Sequence, residues 1–166
     1  IRNYIGYAQK ADNAEIIIGG HCDDSRGYFI EPTIVLTTDP QFKTMQEEIF
    51  GPVLTIYVYP DDTYQRTLKI CDQTSIYALT GAIFDKDRLS ISQAMDALEN
   101  TAGNIYINDK PTLAVDLQQP YGGARASGNN DKPGPASNLM RWVSPRTVKE
   151  AFDSAEQFDY PFMQTK

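Results

Sequence analysis

Between residues 52 and 107, short apolar runs alternate with amphipathic stretches, and this alternation limits the architecture more than any other feature of the chain. The run 52–59 has the composition of a buried strand. Tyr64, Thr67, Leu68 and Cys71 then recur at i, i+3, i+4 and i+7 behind Asp61 and Asp62. That is the pattern of an amphipathic helix with acidic residues at its start and Cys71 on its inner face. Residues 79–84 form a second apolar run, Ile91, Ala94, Met95 and Leu98 repeat the helical spacing, and 104–107 supply a third strand. The order β-α-β-α-β, with connections of this length, predicts an α/β fold built on a parallel sheet covered by helices.

On either side of this block the signals are more varied. Ile1, Tyr4, Ile5 and Ala8 share one helical face, and 15–18 predicts a buried strand that ends in the Gly19-Gly20 turn. Residues 27–36 predict an extended stretch placed at an edge or bend by Pro32. From 118 to 134 the density of Gly and Asn predicts a long loop, of the kind that is functional or disordered inside a compact domain. A short helix near 137–142 and a strand over 146–152 precede an aromatic, charged tail. The chain begins at Ile1 without Met, as expected of a piece processed or cut from something longer.

The 166 residues, 41% of them hydrophobic, suffice for one compact domain. A formal net charge of −7 disfavours nucleic acid and anionic lipid as partners, because both are bound through clustered Lys and Arg. No apolar run approaches the roughly 20 residues needed to span a bilayer. Cys22 and Cys71 are expected to be free thiols in a reducing compartment, and neither sits in a setting that would make it a nucleophile. His21 is the only histidine, too few for a metal site with Cys22, so no metal ligands are assigned. Asp23-Asp24 and Asp61-Asp62 are read as turn and cap residues.

One segment stands out chemically. Glu47-Glu48-Ile49-Phe50-Gly51-Pro52 leads two acids, an aromatic ring and a Gly-Pro turn straight into a strand. A carboxylate at such an entrance can accept hydrogen bonds from ribose hydroxyls, and the ring can lie against a flat heterocycle. From the residues alone, Glu48 reads equally well as a solvated turn residue.

That segment resembles the E-E-x-F-G-P motif of the aldehyde dehydrogenase superfamily, and Gly27-Tyr28-Phe29-Ile30-Glu31-Pro32-Thr33 resembles the G-Y-F-x-x-P-T/C motif that precedes it. Asn104-Ile105-Tyr106-Ile107-Asn108-Asp109-Lys110 and Gln118-Gln119-Pro120-Tyr121-Gly122-Gly123-Ala124-Arg125-Ala126-Ser127-Gly128 resemble signatures of its pyrroline-5-carboxylate dehydrogenase group. The resemblance extends over essentially the whole chain. It implies NAD as cofactor and a small-molecule substrate, with glutamate semialdehyde oxidised to glutamate in proline catabolism. It implies cofactor binding by Glu48, against the nicotinamide ribose, and by Phe50, against the nicotinamide. Leu113, Ala114 and Tyr121 would contact the substrate. Leu113 stands where relatives carry Gly, and Asp116 lies in a run that is small or apolar in them.

The same resemblance implies that residues 1–142 are part of a catalytic domain and that 143–166 are an oligomerisation strand and tail. It places the catalytic thiolate, the base and most of the dinucleotide domain outside this chain, which by itself would not be catalytically competent and would bind NAD weakly or not at all. No catalytic residue is therefore assigned. The partners expected are further copies of the chain in a homo-oligomer, or the missing N-terminal portion, in the mitochondrial matrix. The competing expectation is a stand-alone, truncated, non-catalytic relative that serves in binding or assembly.

Overall fold

A computed structural model of the chain describes residues 1–110, 118–129, 131–153, 156 and 158–163. The opening helix, α1 (Arg2–Gln9), forms on the predicted face and buries Ile5 and Ala8. It packs on a three-stranded sheet of β1 (Ala14–Ile18), β4 (Thr33–Thr37) and β5 (Val53–Tyr57), in the order β1-β4-β5. Ala8, Val35 and Phe42 make the core here, with Ala11, Ala14, Ile16, Met45 and Val53 packed around them. Phe42 immediately precedes the short helix α2 (Lys43–Gln46).

β4 pairs parallel with β5 and antiparallel with β1. Pro32 produces a bend rather than an edge. It separates β3 (Phe29–Ile30), which forms a hairpin with β2 (Cys22–Asp23), from β4, the central strand of the sheet. Two buried-strand expectations need correction. Ile17 and Ile18 in β1 and Leu54 in β5 are each about half exposed; β1 and β5 are the outer strands, and the β1 register is irregular between Ile16 and Ile18. The buried threonines are satisfied: the Thr33 hydroxyl donates to the Glu31 carbonyl at 2.8 Å and accepts from the Gly20 amide at 3.0 Å. The Thr44 and Thr55 hydroxyls bond at 2.7 Å.

The second half follows the predicted alternation. A 3₁₀ turn at Asp61–Thr63 leads into α3 (Tyr64–Thr74), then β6 (Tyr77–Ala78), β7 (Thr80–Ile83), α4 (Arg88–Ala97) and β8 (Asn104–Ile107). β7 and β8 pair parallel over all four residues. Leu68, Ala78, Ile91 and Ala94 are buried in this half. Helices α3 and α4 are joined by the Tyr64 hydroxyl, which donates to the Ser90 carbonyl at 2.9 Å, and by Gln65 and Gln93 at 2.8 Å. Asp87 caps α4, its carboxylate accepting from the amides of Leu89 and Ser90.

Four further corrections concern single residues and short segments. Cys71 is exposed rather than buried, because one turn beyond Leu68 it borders two clefts open at the surface. Within the glycine-rich loop, Ala124–Arg125 forms β9, a short strand antiparallel to β6. Among the described residues, 146–152 pair with no strand, and they are exposed throughout. The expected helix near residue 137 is a 3₁₀ helix, Ala136–Trp142.

Candidate functional site

Where α2 ends, Glu47 turns to extended backbone and the chain runs irregularly to β5. Two other elements pin this stretch. The Tyr4 hydroxyl of α1 donates to Glu47 Oε2 at 2.7 Å, which pushes the phenol above its ordinary value. The Ser75 hydroxyl donates to the Gln46 carbonyl at 3.3 Å. Lys43 Nζ sits over the rings of Tyr4 and Tyr7, at 5.4 and 5.5 Å.

The two acids are therefore divided in role. Glu47 is committed to Tyr4, whereas Glu48 has no hydrogen-bond or ion-pair partner among the described residues. Glu48 faces a cleft of about 440 Å³ lined also by Tyr4, Gln46, Glu47, Thr74, Ile76 and Tyr77. Two residues on, Phe50 is 90% exposed and has φ 55°, in the left-handed region. A phenylalanine there accepts both backbone strain and exposure of its ring without any packing gain for the fold.

Tyr121 is half-buried in a separate, tightly clamped turn. Its amide donates to the Pro133 carbonyl at 3.0 Å, and Asn104 Nδ2 donates to the Pro120 carbonyl at 2.9 Å. A Cβ added to Gly103 would meet the Gly122 carbonyl oxygen at 1.7 Å, so only glycine allows this turn to lie against the start of β8. Lys132 Nζ reaches over to the Gly103 carbonyl at 2.8 Å. Leu113 and Ala114, the other expected substrate contacts, lie outside the described residues, as does Asp116. The chain leading to them is held by Asn108. Its amide donates to the Ile83 carbonyl at 2.9 Å, and its side chain bonds the Asp85 backbone at both N–H and C=O.

Glu48 and Phe50 thus share one turn, and Tyr121 does not line their cleft. β6 lies between the two places. Ile76 and Tyr77 wall the Glu48 cleft, while Tyr77 and Ala78 pair with Arg125 and Ala124, and the Ala126 amide donates to the Ile76 carbonyl at 3.1 Å. Arg125 and Asn108 belong to motifs legible in the sequence, but their roles depend on partners distant along the chain. Tyr4 was legible only as part of a helical face, and Ser75 carried no sequence signal.

The Cys71 thiol is not set up as a nucleophile. Cys71 is exposed as a residue, yet enough protein packs around its sulfur that desolvation, reinforced by Asp72, pushes the thiol up. Among the described residues no three His, Cys, Asp or Glu side chains gather as metal ligands, and no helix is long and apolar enough to cross a membrane.

The aldehyde dehydrogenase family model matches residues 1–148. A mitochondrial delta-1-pyrroline-5-carboxylate dehydrogenase of Dictyostelium discoideum is 59% identical over 163 residues, covering 98% of this chain and 29% of that protein. The human protein of the same description is 50% identical over 164 residues, covering 99% of this chain and 29% of its own length. The crystal structure of the Delta-pyrroline-5-carboxylate dehydrogenase from Mycobacterium tuberculosis bound with NAD superposes with a TM-score of 0.81 at 46% identity, over 99% of this chain and 29% of that one. The chain therefore spans about 29% of the length of the relatives it matches. Likeness of this extent to named dehydrogenases does not favour the stand-alone, non-catalytic reading.

Proposed function

Since the chain belongs to the aldehyde dehydrogenase family, we propose that it is the C-terminal part of an NAD-dependent enzyme that oxidises glutamate semialdehyde, the open form of pyrroline-5-carboxylate, to glutamate. The observation that carries this reading is the pairing of an unpartnered Glu48 with an exposed, left-handed Phe50 on one turn. Strain and exposure of this kind concentrate at ligand-binding positions. Glu48 accepts hydrogen bonds from the nicotinamide ribose hydroxyls, and Phe50 lies against the nicotinamide. NAD, when bound, supplies the hydride acceptor.

Tyr121 borders the substrate's aliphatic chain, with Leu113 and Ala114 at its carboxylate. The thiolate nucleophile and the base belong to the remaining length of the protein, as the 29% share of each relative suggests. Two of those relatives are named as mitochondrial, which supports the same compartment here, the matrix. Residues 143–166, exposed at nearly all their described positions and carrying Phe152 and Phe158, pack against a neighbouring subunit of a homo-oligomer.

The test is Glu48→Gln in the full-length dehydrogenase that contains these residues. Loss of a charged acceptor is expected to raise the KM for NAD about tenfold or more, with far less change in the KM for the aldehyde. An unchanged KM for NAD would overturn the assignment.

A further inference from the structure

Arg125 lines neither of the places assigned to ligands, yet it is bound more elaborately than any other cation among the described residues. Its guanidinium donates to the Asp72 carbonyl at 2.5 Å and to the Ser75 carbonyl at 3.3 Å, and it pairs with the Asp72 carboxylate. These carbonyls belong to the last turn of α3 and the residue after it, where unpaired helix carbonyls attract a cation. Arg125 also has φ 49°, a left-handed backbone that a non-glycine residue keeps only when its surroundings enforce it.

Ser75 is the hinge of the arrangement. Its carbonyl accepts from Arg125, while its hydroxyl donates to the Gln46 carbonyl and accepts from the Tyr77 amide at 3.1 Å. Gln46 lies two residues before Glu48, and Arg125 lies four residues after Tyr121. We propose that Arg125, acting through Ser75, is a positioning residue that fixes the Tyr121 turn and the Glu48 segment in one frame. This rests on the ligand assignments above and extends them. Hydride transfer requires the nicotinamide and the aldehyde carbon to be aligned within a fraction of an ångström, so a link between the two holding segments acts on the chemical step as well as on binding. Lysine cannot replace the planar fork, because a single ammonium does not span two carbonyls and a carboxylate with the same geometry.

The experiment compares Arg125→Ala, Arg125→Lys, Ser75→Ala and Glu48→Gln in the full-length enzyme, with kcat, the KM for NAD, the KM for glutamate semialdehyde and thermal melting as readouts. Arg125→Ala is expected to lower kcat about tenfold and to raise both KM values, with Arg125→Lys only partly restoring them. Ser75→Ala, which cuts the arm to Gln46 and the bond from the Tyr77 amide but keeps the carbonyl that Arg125 holds, should raise the KM for NAD about threefold or more and leave that for the aldehyde in place. If the Arg125 variants melt earlier but show wild-type kcat and KM values in the folded enzyme, the residue is structural and the proposal fails. If Arg125→Ala does not fold, Arg125→Lys and Ser75→Ala decide on the same criteria. Should Glu48→Gln leave the KM for NAD unchanged, the cofactor assignment itself is wrong. A raised KM for NAD in Glu48→Gln beside unaffected Arg125 and Ser75 variants removes only the link.

Discussion

Gly103 and Gly122 meet backbone to backbone, with the Gly122 carbonyl oxygen occupying the space where a Gly103 Cβ would project. Gly103→Ala must therefore displace main chain rather than a flexible side chain. A loss of about 3 kcal/mol in unfolding free energy is expected, the scale of overpacking at a fixed backbone contact. Urea denaturation checks this, and a loss below about 0.5 kcal/mol would show that the turn yields freely.

Phe50→Gly separates folding from binding. Glycine adopts the left-handed backbone without strain, and the ring it replaces is almost wholly in solvent. Stability should stay within about 1 kcal/mol of wild type while the KM for NAD rises. A ring that served the core would instead take about 3–5 kcal/mol with it. Denaturation and steady-state kinetics on the same preparation distinguish the two.

Asp87 gives a pH signature. Hydrogen bonds from the Ser90 hydroxyl and from the Leu89 and Ser90 amides hold its carboxyl below the ordinary carboxylate range. Because the folded-state value is the lower one, the stabilisation is fully present above the ordinary carboxylate range. It disappears as pH falls from that range through the folded value. Asp87→Asn keeps a capping side chain but carries no titrating charge, so its acid limb should be shallower than that of wild type. Asp87→Ala should melt earlier at neutral pH. Thermal melts from pH 2 to 7 test both.

Cys71 should be a slow thiol despite its exposure. Desolvation and the neighbouring Asp72 raise it, while Arg125 opposes them, so the reactive thiolate is scarcer at pH 8 than in an unstructured peptide. Alkylation by iodoacetamide, followed on the Cys71 peptide by mass spectrometry, should be slower in the folded protein and accelerate with rising pH. Asp72→Asn should quicken it at pH 8. Equal rates in folded and unfolded chains would refute the shift.

The sequence made some of this architecture readable because local periodicity and tertiary packing agree. Leu68, Ile91 and Ala94 lie on the faces their spacing predicts and are buried, and the third predicted strand coincides with β8. Periodicity says nothing about which strand is central. Pro32 therefore left edge and bend open where the fold has a bend leading into a central strand, and the isoleucines of β1 suggested burial that an outer strand does not provide. The 146–152 stretch has strand-like composition but pairs with no strand among the described residues, and a ladder requires two strands. At the candidate site, Glu48 and Phe50 were visible because a motif holds them together. The Arg125–Asp72 pair joins residues 53 apart in sequence, and the committed state of Glu47 depends on Tyr4, 43 residues away. Separations of that size leave no trace in a local pattern.

The two parallel ladders, β4–β5 and β7–β8, share no hydrogen-bonded strand. Each is closed by its own intervening segment, residues 38–52 in one case and 84–103 in the other. The chain thus has two places where folding can begin, each with its own loop-closure barrier and neither templating the other's register. Even when both have formed, β5 and β7 each keep one open edge able to pair with another molecule. Refolding yield should therefore fall as protein concentration rises, making dilution the condition under which this chain recovers its native strands.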